Sequence, residues 1–153
     1  MFNLEVFYVA IIGGKIEGIT ACTNEKNPSV RLKSCEFKRH LGFIRGGIAY
    51  SLLKKECEGD QYPFPLGKNT GTIEFVSVSP QHQGKGVGTE LICRVIESTP
   101  YAEYALEVAD TNLRAMKLYK KLGFKEFQRV KTAKRNRLSG INYLVYMKYT
   151  KRR

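Results

Sequence analysis

A chain of 153 residues suits one domain, large enough to bury about two-thirds of its unfolded surface without metals or disulfides. Its 42% hydrophobic content excludes global disorder, and no apolar run approaches the ~20 residues that cross a bilayer, the longest being Val6 to Ile12. The net charge of +12, from 26 basic and 14 acidic residues, favours anionic partners without naming one.

Met1 to Glu5 carries no basic segment ahead of the apolar run and no small-residue cleavage pattern, so a cytoplasmic location is expected. Cys22, Cys35, Cys57 and Cys93 form no Cys-x-x-Cys pair; they read as reduced thiols, mostly packing residues, and no metal is expected.

Val6 to Ile12 and Ile16 to Cys22 are rich in Val, Ile and Tyr and meet through Gly13-Gly14-Lys15, the pattern of a hairpin that is scaffold with little chemistry. Asn24 to Ser29, with Pro28, is a loop. From Arg31 to Glu58 the residues Phe37, Leu41, Ile44, Ile48 and Leu52 step by three or four, which predicts an amphipathic helical region packed on the sheet. Gly42, Gly46 and Gly47 interrupt it, each costing up to ~1 kcal/mol relative to alanine, so a kink or break is expected near Gly46. His40 reads as a packed or half-exposed histidine, with no acid or thiol placed to partner it. The loop from Glu58 to Gly71 holds Tyr62 and Phe64, which either line a pocket or staple the loop to the core.

Thr72 to Ser79 is apolar on both faces, Ile73 and Phe75 on one and Val76 and Val78 on the other, as in an interior strand. Glu74 is the exception. Sharing its side with Val76 and Val78, it must be hydrated, paired or functional. Next comes Gln83-Gly84-Lys85-Gly86-Val87-Gly88-Thr89, after a loop carrying His82 and ahead of a helix from Thr89 to Glu97 whose stripe is Leu91, Ile92, Val95 and Ile96. Glycines tolerate positive φ and admit a ligand to the backbone, while a helix start presents N–H groups without internal partners and a partial positive charge. The turn therefore suits a phosphate or pyrophosphate, with Lys85 and Gln83 as side-chain donors and His82 as a solvated neighbour, although a plain structural turn has the same letters. The P-loop frame is absent, and Gly84, Gly86 and Gly88 occupy first, third and fifth positions where the dinucleotide fingerprint needs first, third and sixth.

Tyr104 to Ala109 is the next strand, completing a βαβ unit with parallel strands and a ligand site at their carboxyl ends. Asp110, Thr111 or Asn112 caps a helix whose stripe is Leu113, Met116, Tyr119 and Leu122, and Gly123 terminates it. Glu126 to Val130 and Ile141 to Tyr149 are the final strands, joined by a basic arm of Lys131, Lys134, Arg135 and Arg137 that reads as a solvated loop or a contact for an anionic acceptor.

Gln83, Gly86 and Gly88 meet the pattern Gln/Arg-x-x-Gly-x-Gly/Ala, which resembles the acetyl-CoA pyrophosphate loop of the GNAT N-acetyltransferases. Leu106 to Asn112, Ala115 and Leu118-Tyr119-Lys120-Lys121-Leu122-Gly123-Phe124 are similar to the second half of that family's core, so the resemblance covers roughly Thr72 to Glu126. It implies an α/β fold with an α+β mixed sheet: a central twisted sheet with a parallel βαβ core flanked by helices, in a single domain over residues 1–153. It implies acetyl-CoA as acyl donor, held by Gln83, Gly84, Lys85, Gly86, Val87, Gly88 and Thr89 at the pyrophosphate, by the backbone of Val76 and Val78 along the pantetheine, and by Asn112, Ala115 and Tyr119. The acceptor is then an amine, and a homodimer is expected because members of the family often dimerise; membrane and nucleic-acid partners are not expected.

The same resemblance gives Tyr119 the role of general acid to the departing thiolate, against the alternative that it belongs only to the core stripe. Glu74 and Glu107 are the candidate bases, Glu74 preferred because an acid on so apolar a strand is harder to account for as surface. The departure from the family lies upstream, where the chain opens directly on a hairpin without the usual strand and two helices and inserts the Arg31 to Glu58 region where a short link is common. That departure keeps a rival reading open, a non-catalytic acyl-CoA-binding module.

Overall fold

The computed structural model describes residues 2–57, 62–132 and 140–151, and within it six strands form one sheet in the order β1-β2-β3-β4-β6-β5. The elements in chain order are β1 (Phe7–Ile12), β2 (Lys15–Thr23), α1 (Ser34–Leu41), α2 (Phe43–Cys57), β3 (Thr70–Val78), α3 (Val87–Ser98), β4 (Glu103–Ala109), α4 (Leu113–Lys121), β5 (Lys125–Lys131) and β6 (Tyr143–Thr150). Glu58, the side chains of Leu52 and Cys57, and the arm residues Lys134, Arg135 and Arg137 lie outside the described residues. The β1–β2 hairpin turns on Gly13 and Gly14, both at positive φ (57° and 76°), which suits the right-handed twist of a two-residue turn.

Among the described residues the only parallel neighbours are β3 and β4, the strands of the β3–α3–β4 unit, and the mixed sheet with its flanking helices has the expected architecture. On one face Ile73, Leu106, Val108, Val145 and Met147 meet Ile92 and Val95 of α3 and Met116 and Tyr119 of α4 in the main core. On the other face Tyr62, with Phe64 and Leu66, packs on Ala105 and Tyr146. Of the two readings of that loop, the staple is therefore the one observed. The alternation along β4 and β6 makes this two-sided burial, since neighbouring residues of a strand point to opposite faces.

Two expectations about the inserted helices need correction. The break falls at Gly42 (φ 80°, ψ 166°), a conformation open to glycine alone, rather than near Gly46. The apolar stripe does not pack on the sheet: Leu41, Ile44 and Ile48 are 51%, 76% and 58% exposed. The break folds α1 and α2 onto one another, with the Phe37 and Tyr50 rings 6.0 Å apart, and most of the stripe is left outside that contact. His40 is exposed and does have an acidic partner, Glu36 one turn earlier on α1 at 3.6 Å.

The thiols divide likewise. Cys22 is buried, and burial pushes its pKa up to about 11, whereas Cys35 is exposed.

Gly71 on β3 marks a close approach. A Cβ there would lie 2.5 Å from the Tyr101 ring, and that ring is held by an Asn24 amide donating to its hydroxyl at 2.6 Å. Gly71→Ala is expected to lower stability by about 1–3 kcal/mol through overpacking, read in urea as a lower midpoint with an unchanged slope. An unchanged midpoint would mean that Tyr101 swings aside freely.

Candidate active site

The site begins where two strands part. Parallel pairing of β3 with β4 runs from Thr70↔Glu103 through Ile73↔Leu106 and then stops, although β3 continues to Val78 and β4 to Ala109. A fork therefore opens between them, and its first free positions are Glu74 on one arm and Glu107 on the other. Beyond the fork, β3 from residue 74 onward has no pairing with β4, an edge of the kind to which an extended ligand adds as a strand would.

A bulge shapes the β3 arm. Phe75 has φ 55°, rare for a residue with a side chain, and the β2–β3 register slips between Ile19 and Ala21 opposite it. The extra residue breaks the alternation expected from sequence. Ile73 and Val76 both face the main core, while Phe75 is 51% exposed against the Phe7 ring, so Glu74 does not share a side with Val76. Its register partner is Ala21, with Thr72 and Thr23 paired one step away on the same face. There its carboxylate accepts hydrogen bonds from Thr23 Oγ1 (2.7 Å), Ser29 Oγ (2.6 Å) and Thr72 Oγ1 (3.3 Å). Of the fates open to it, hydrated, paired or functional, the structure supplies hydroxyl partners.

Glu107 has a different environment. The residue reaches the surface, yet protein crowds its carboxyl, and this desolvation raises its pKa; the charge of Glu74 adds to the rise and a hydrogen bond with the Tyr146 hydroxyl opposes it. Burial in turn raises the Tyr146 and Tyr62 hydroxyls well above the usual tyrosine value.

Under the other face of the fork lies Tyr119, 6% exposed, its ring in the main core 6.0 Å from that of Phe124. Its pKa is raised by burial, so the phenol holds its proton. Among the described residues no buried side-chain oxygen lacks a partner, and none donates to or accepts from the Tyr119 hydroxyl, which places that oxygen at a solvent-reached surface. A core ring thus carries an open hydroxyl, and both readings of Tyr119 hold at once. The position is rigid. Asn112 caps the start of α4 by accepting from the Ala115 N–H (3.1 Å), and at its end the Phe124 N–H reaches the Tyr119 carbonyl (2.9 Å) while Gly123 N–H reaches Lys120 (3.0 Å), the double bond of a Schellman motif with Gly123 at φ 95°.

The glycine turn stands at the tip of β3. Gly84 and Gly86 take φ of 79° and 87°, and Gly86 immediately precedes the first residue of α3, whose first-turn N–H groups have no partner within the helix. Gly88 packs beside Val78, where an added Cβ would stand at an ordinary contact distance of 3.5 Å. Val87 likewise lies over Gly18 of β2, whose missing Cβ would be 3.2 Å away, and it can serve a ligand through its backbone alone. Lys85 is exposed and Thr89 half-buried. Gln83 bonds the Val78 carbonyl through its amide (3.1 Å), and its oxygen accepts from Arg114 of α4 (2.9 Å).

Two further charged residues reach the turn, and neither stands out in the sequence. Arg114, tied to Gln83 and with a guanidinium nitrogen 3.2 Å from where a Gly84 Cβ would stand, brings a cation to the turn across 31 residues of chain. Glu17, on the hairpin taken for scaffold, is 5% exposed and contacts His82 at 3.2 Å, so His82 is tethered rather than simply solvated. The only signal for Arg114 was a cation early in a helix that starts beside the fork. For Glu17 it was a carboxylate on an apolar strand, the same signal that drew attention to Glu74.

Comparison with known proteins places this arrangement. The profile of the acetyltransferase (GNAT) family matches residues 4–124. A mouse thialysine N-epsilon-acetyltransferase is 39% identical over 54 residues, which is 33% of this chain and 32% of that protein, so the likeness spans about a third of that relative's length. Among solved structures, an N-acetyltransferase from Staphylococcus aureus Mu50 superposes with TM-score 0.60 at 17% identity, over 96% of this chain and 71% of the other. A GNAT family acetyltransferase from Elizabethkingia anophelis with acetyl-CoA bound gives 0.59 at 15% identity, over 95% and 75%. The ribosomal-protein-S18-alanine N-acetyltransferase of Escherichia coli gives 0.57 at 16% identity, over 94% and 67%; at such identities these likenesses speak for the fold. With the family profile spanning most of its length, the chain belongs to the acetyltransferase (GNAT) family.

Proposed function

We propose that the protein is an acetyl-CoA-dependent N-acetyltransferase acting on a primary amine of a small molecule, peptide or protein. The observation that carries this reading is the fork, with a carboxylate at the first free position of each arm, and Tyr119 with its open hydroxyl in the core that the same two strands pack against. In this reading the turn from Gln83 to Thr89, with Arg114, takes the pyrophosphate, and the pantetheine adds to the Val76 to Val78 backbone beside Asn112 and Ala115. An amine arriving as an ammonium is drawn to two carboxylates, loses its proton to one of them, directly or through water, and attacks the thioester carbonyl. The oxyanion that forms meets a backbone N–H near Val78; as it collapses the C–S bond breaks, the thiolate takes the Tyr119 proton, and the phenolate takes the remaining excess proton of the new amide nitrogen.

The reading includes a single domain, a cytoplasmic setting in keeping with free thiols at Cys22, Cys35 and Cys93, and a homodimer that sedimentation measures. The mouse thialysine N-epsilon-acetyltransferase and the Escherichia coli ribosomal-protein-S18-alanine N-acetyltransferase are by name enzymes of acetyl transfer to amino groups, which supports the acceptor class. Free-thiol release is the test: mixed with acetyl-CoA and a panel of alkyl amines, lysyl peptides and free peptide amino termini, the protein is expected to release CoA with at least one. Calorimetric binding of acetyl-CoA without turnover on any amine would replace this reading with that of an acyl-CoA-binding module, and no binding at millimolar acetyl-CoA would remove both.

A further inference from the structure

Glu17 is a buried carboxylate that the proposed chemistry does not use, and its bonds all run to one place. Its oxygens accept from the Ser79 hydroxyl and from the Gln81 amide (3.0 Å to each oxygen), and one lies 3.2 Å from His82 Nδ1. Its backbone carbonyl accepts from the Ser79 N–H at 2.9 Å. Three of the four residues that lead from the β3 tip to Gln83 are thus held by one residue of the neighbouring strand. The next residue, Gly18, receives the far side of the turn: Val87 lies over it, and an added Cβ would stand 3.2 Å from Val87 and 3.3 Å from Ala10.

We propose that Glu17 is a positioning residue for the acyl donor, with Glu17 and Gly18 together forming the platform on which the phosphate-binding turn is set. The physical reason is the cost of order. The turn with positive φ at Gly84 and Gly86 is held from within by short-range backbone bonds, from His82 and Gln83 N–H to the Ser79 carbonyl (3.0 and 3.1 Å) and from Lys85 N–H to that of His82 (3.4 Å), and a ligand that had to supply the rest of its order would bind more weakly by the entropy spent. Glu17 spends that entropy on folding. A carboxylate is suited to the task because it accepts several bonds at once, and charge-assisted bonds are stronger than neutral ones. Ser79 as principal donor also holds the Glu17 carboxyl below its ordinary pKa, with His82 and Gln81 acting in the same sense.

This inference rests on acetyl-CoA being the ligand, and its test separates the two. Wild-type protein is titrated with acetyl-CoA by calorimetry, followed by Glu17→Ala, Glu17→Gln and Gln81→Ala, with steady-state kinetics on the best amine. Glu17→Ala is expected to weaken acetyl-CoA binding and raise its KM roughly tenfold, from the loss of bonds to a charged group. The KM of the amine should stay within twofold. Glu17→Gln, which keeps an acceptor for Ser79, should recover part of the loss, and Gln81→Ala, which removes one tether and leaves the buried carboxylate in place, should show a smaller loss even if Glu17→Ala folds poorly. Tight binding by the wild type with unchanged binding by the Glu17 and Gln81 variants overturns the role of Glu17 and leaves the donor assignment standing. Equal changes in both KM values also overturn it, because a general loss of structure would move both. Absence of wild-type binding removes the donor assignment and this inference with it.

Discussion

Tyr119→Phe is expected to lower turnover by about 10²- to 10⁴-fold, the range for loss of a positioned general acid, while acetyl-CoA binding stays within twofold. The expectation follows from how the residue is divided. Its ring belongs to the main core beside Phe124, and phenylalanine fills the same space. Its hydroxyl has no partner among the described residues, so removing it orphans no donor or acceptor. Stability should therefore barely move, and a fall in rate is attributable to the lost proton donor. The raised pKa of the phenol suits the role, since an acid must still hold its proton when the thiolate departs. Turnover equal to wild type, with CoA release as the signal, would remove Tyr119 from the chemistry and return it to the core.

The second large effect is at the fork. Sequence alone favoured Glu74 as base, because a carboxylate on an apolar strand needs a purpose. The hydroxyls of Thr23, Ser29 and Thr72 supply one that is structural: they join β2 and the loop before α1 to β3 and occupy three of the roughly four acceptor positions of the carboxylate. Glu107, crowded by protein and with its pKa raised, is the better candidate for proton acceptor, and we propose it as the base. Glu107→Gln should lower kcat/KM by about 10²-fold or more and abolish the rising limb of the pH-rate profile, a limb that in the wild type lies above the ordinary glutamate range. Glu74→Gln should leave that limb in place.

Stability should move in opposite directions. A carboxyl whose pKa is raised by folding contributes stability below its unfolded pKa, and this is lost as pH rises through the folded value. At neutral pH the charged Glu107 is thus a burden, and Glu107→Gln should melt at a higher temperature than wild type there, the difference vanishing below the carboxylate range. Glu74→Gln, which turns an amide toward three hydroxyl donors, should melt lower. Loss of the rising limb in Glu74→Gln and its survival in Glu107→Gln would reverse the assignment.

What was legible in the sequence is what neighbours along the chain decide. Apolar spacing marked α3 and α4, the glycines of residues 84–88 marked a turn with open backbone, and Asn112 and Gly123 marked the ends of α4, because caps and turns are made within a few residues. The order strand, turn, helix, strand also implied the parallel pair and hence a site at its carboxyl ends. The insert was harder. Three glycines were visible in it, but which one breaks the helix and whether its apolar stripe is covered depend on what lies nearby in space.

The tertiary structure alone decided the rest, and in each case the partner is distant in sequence. The bulge at Phe75 comes from pairing with β2, and it reverses which residues of the β3 arm face the core. The fork is a limit of pairing between β3 and β4, invisible in either strand by itself, and it sets Glu74 and Glu107 on opposite arms with different partners. Arg114 reaches Gln83 across 31 residues and Glu17 reaches Gln81 across 64. Local spacing records how the backbone turns; which charges meet is set by strand register and helix placement, and the chemistry of this site depends on those meetings.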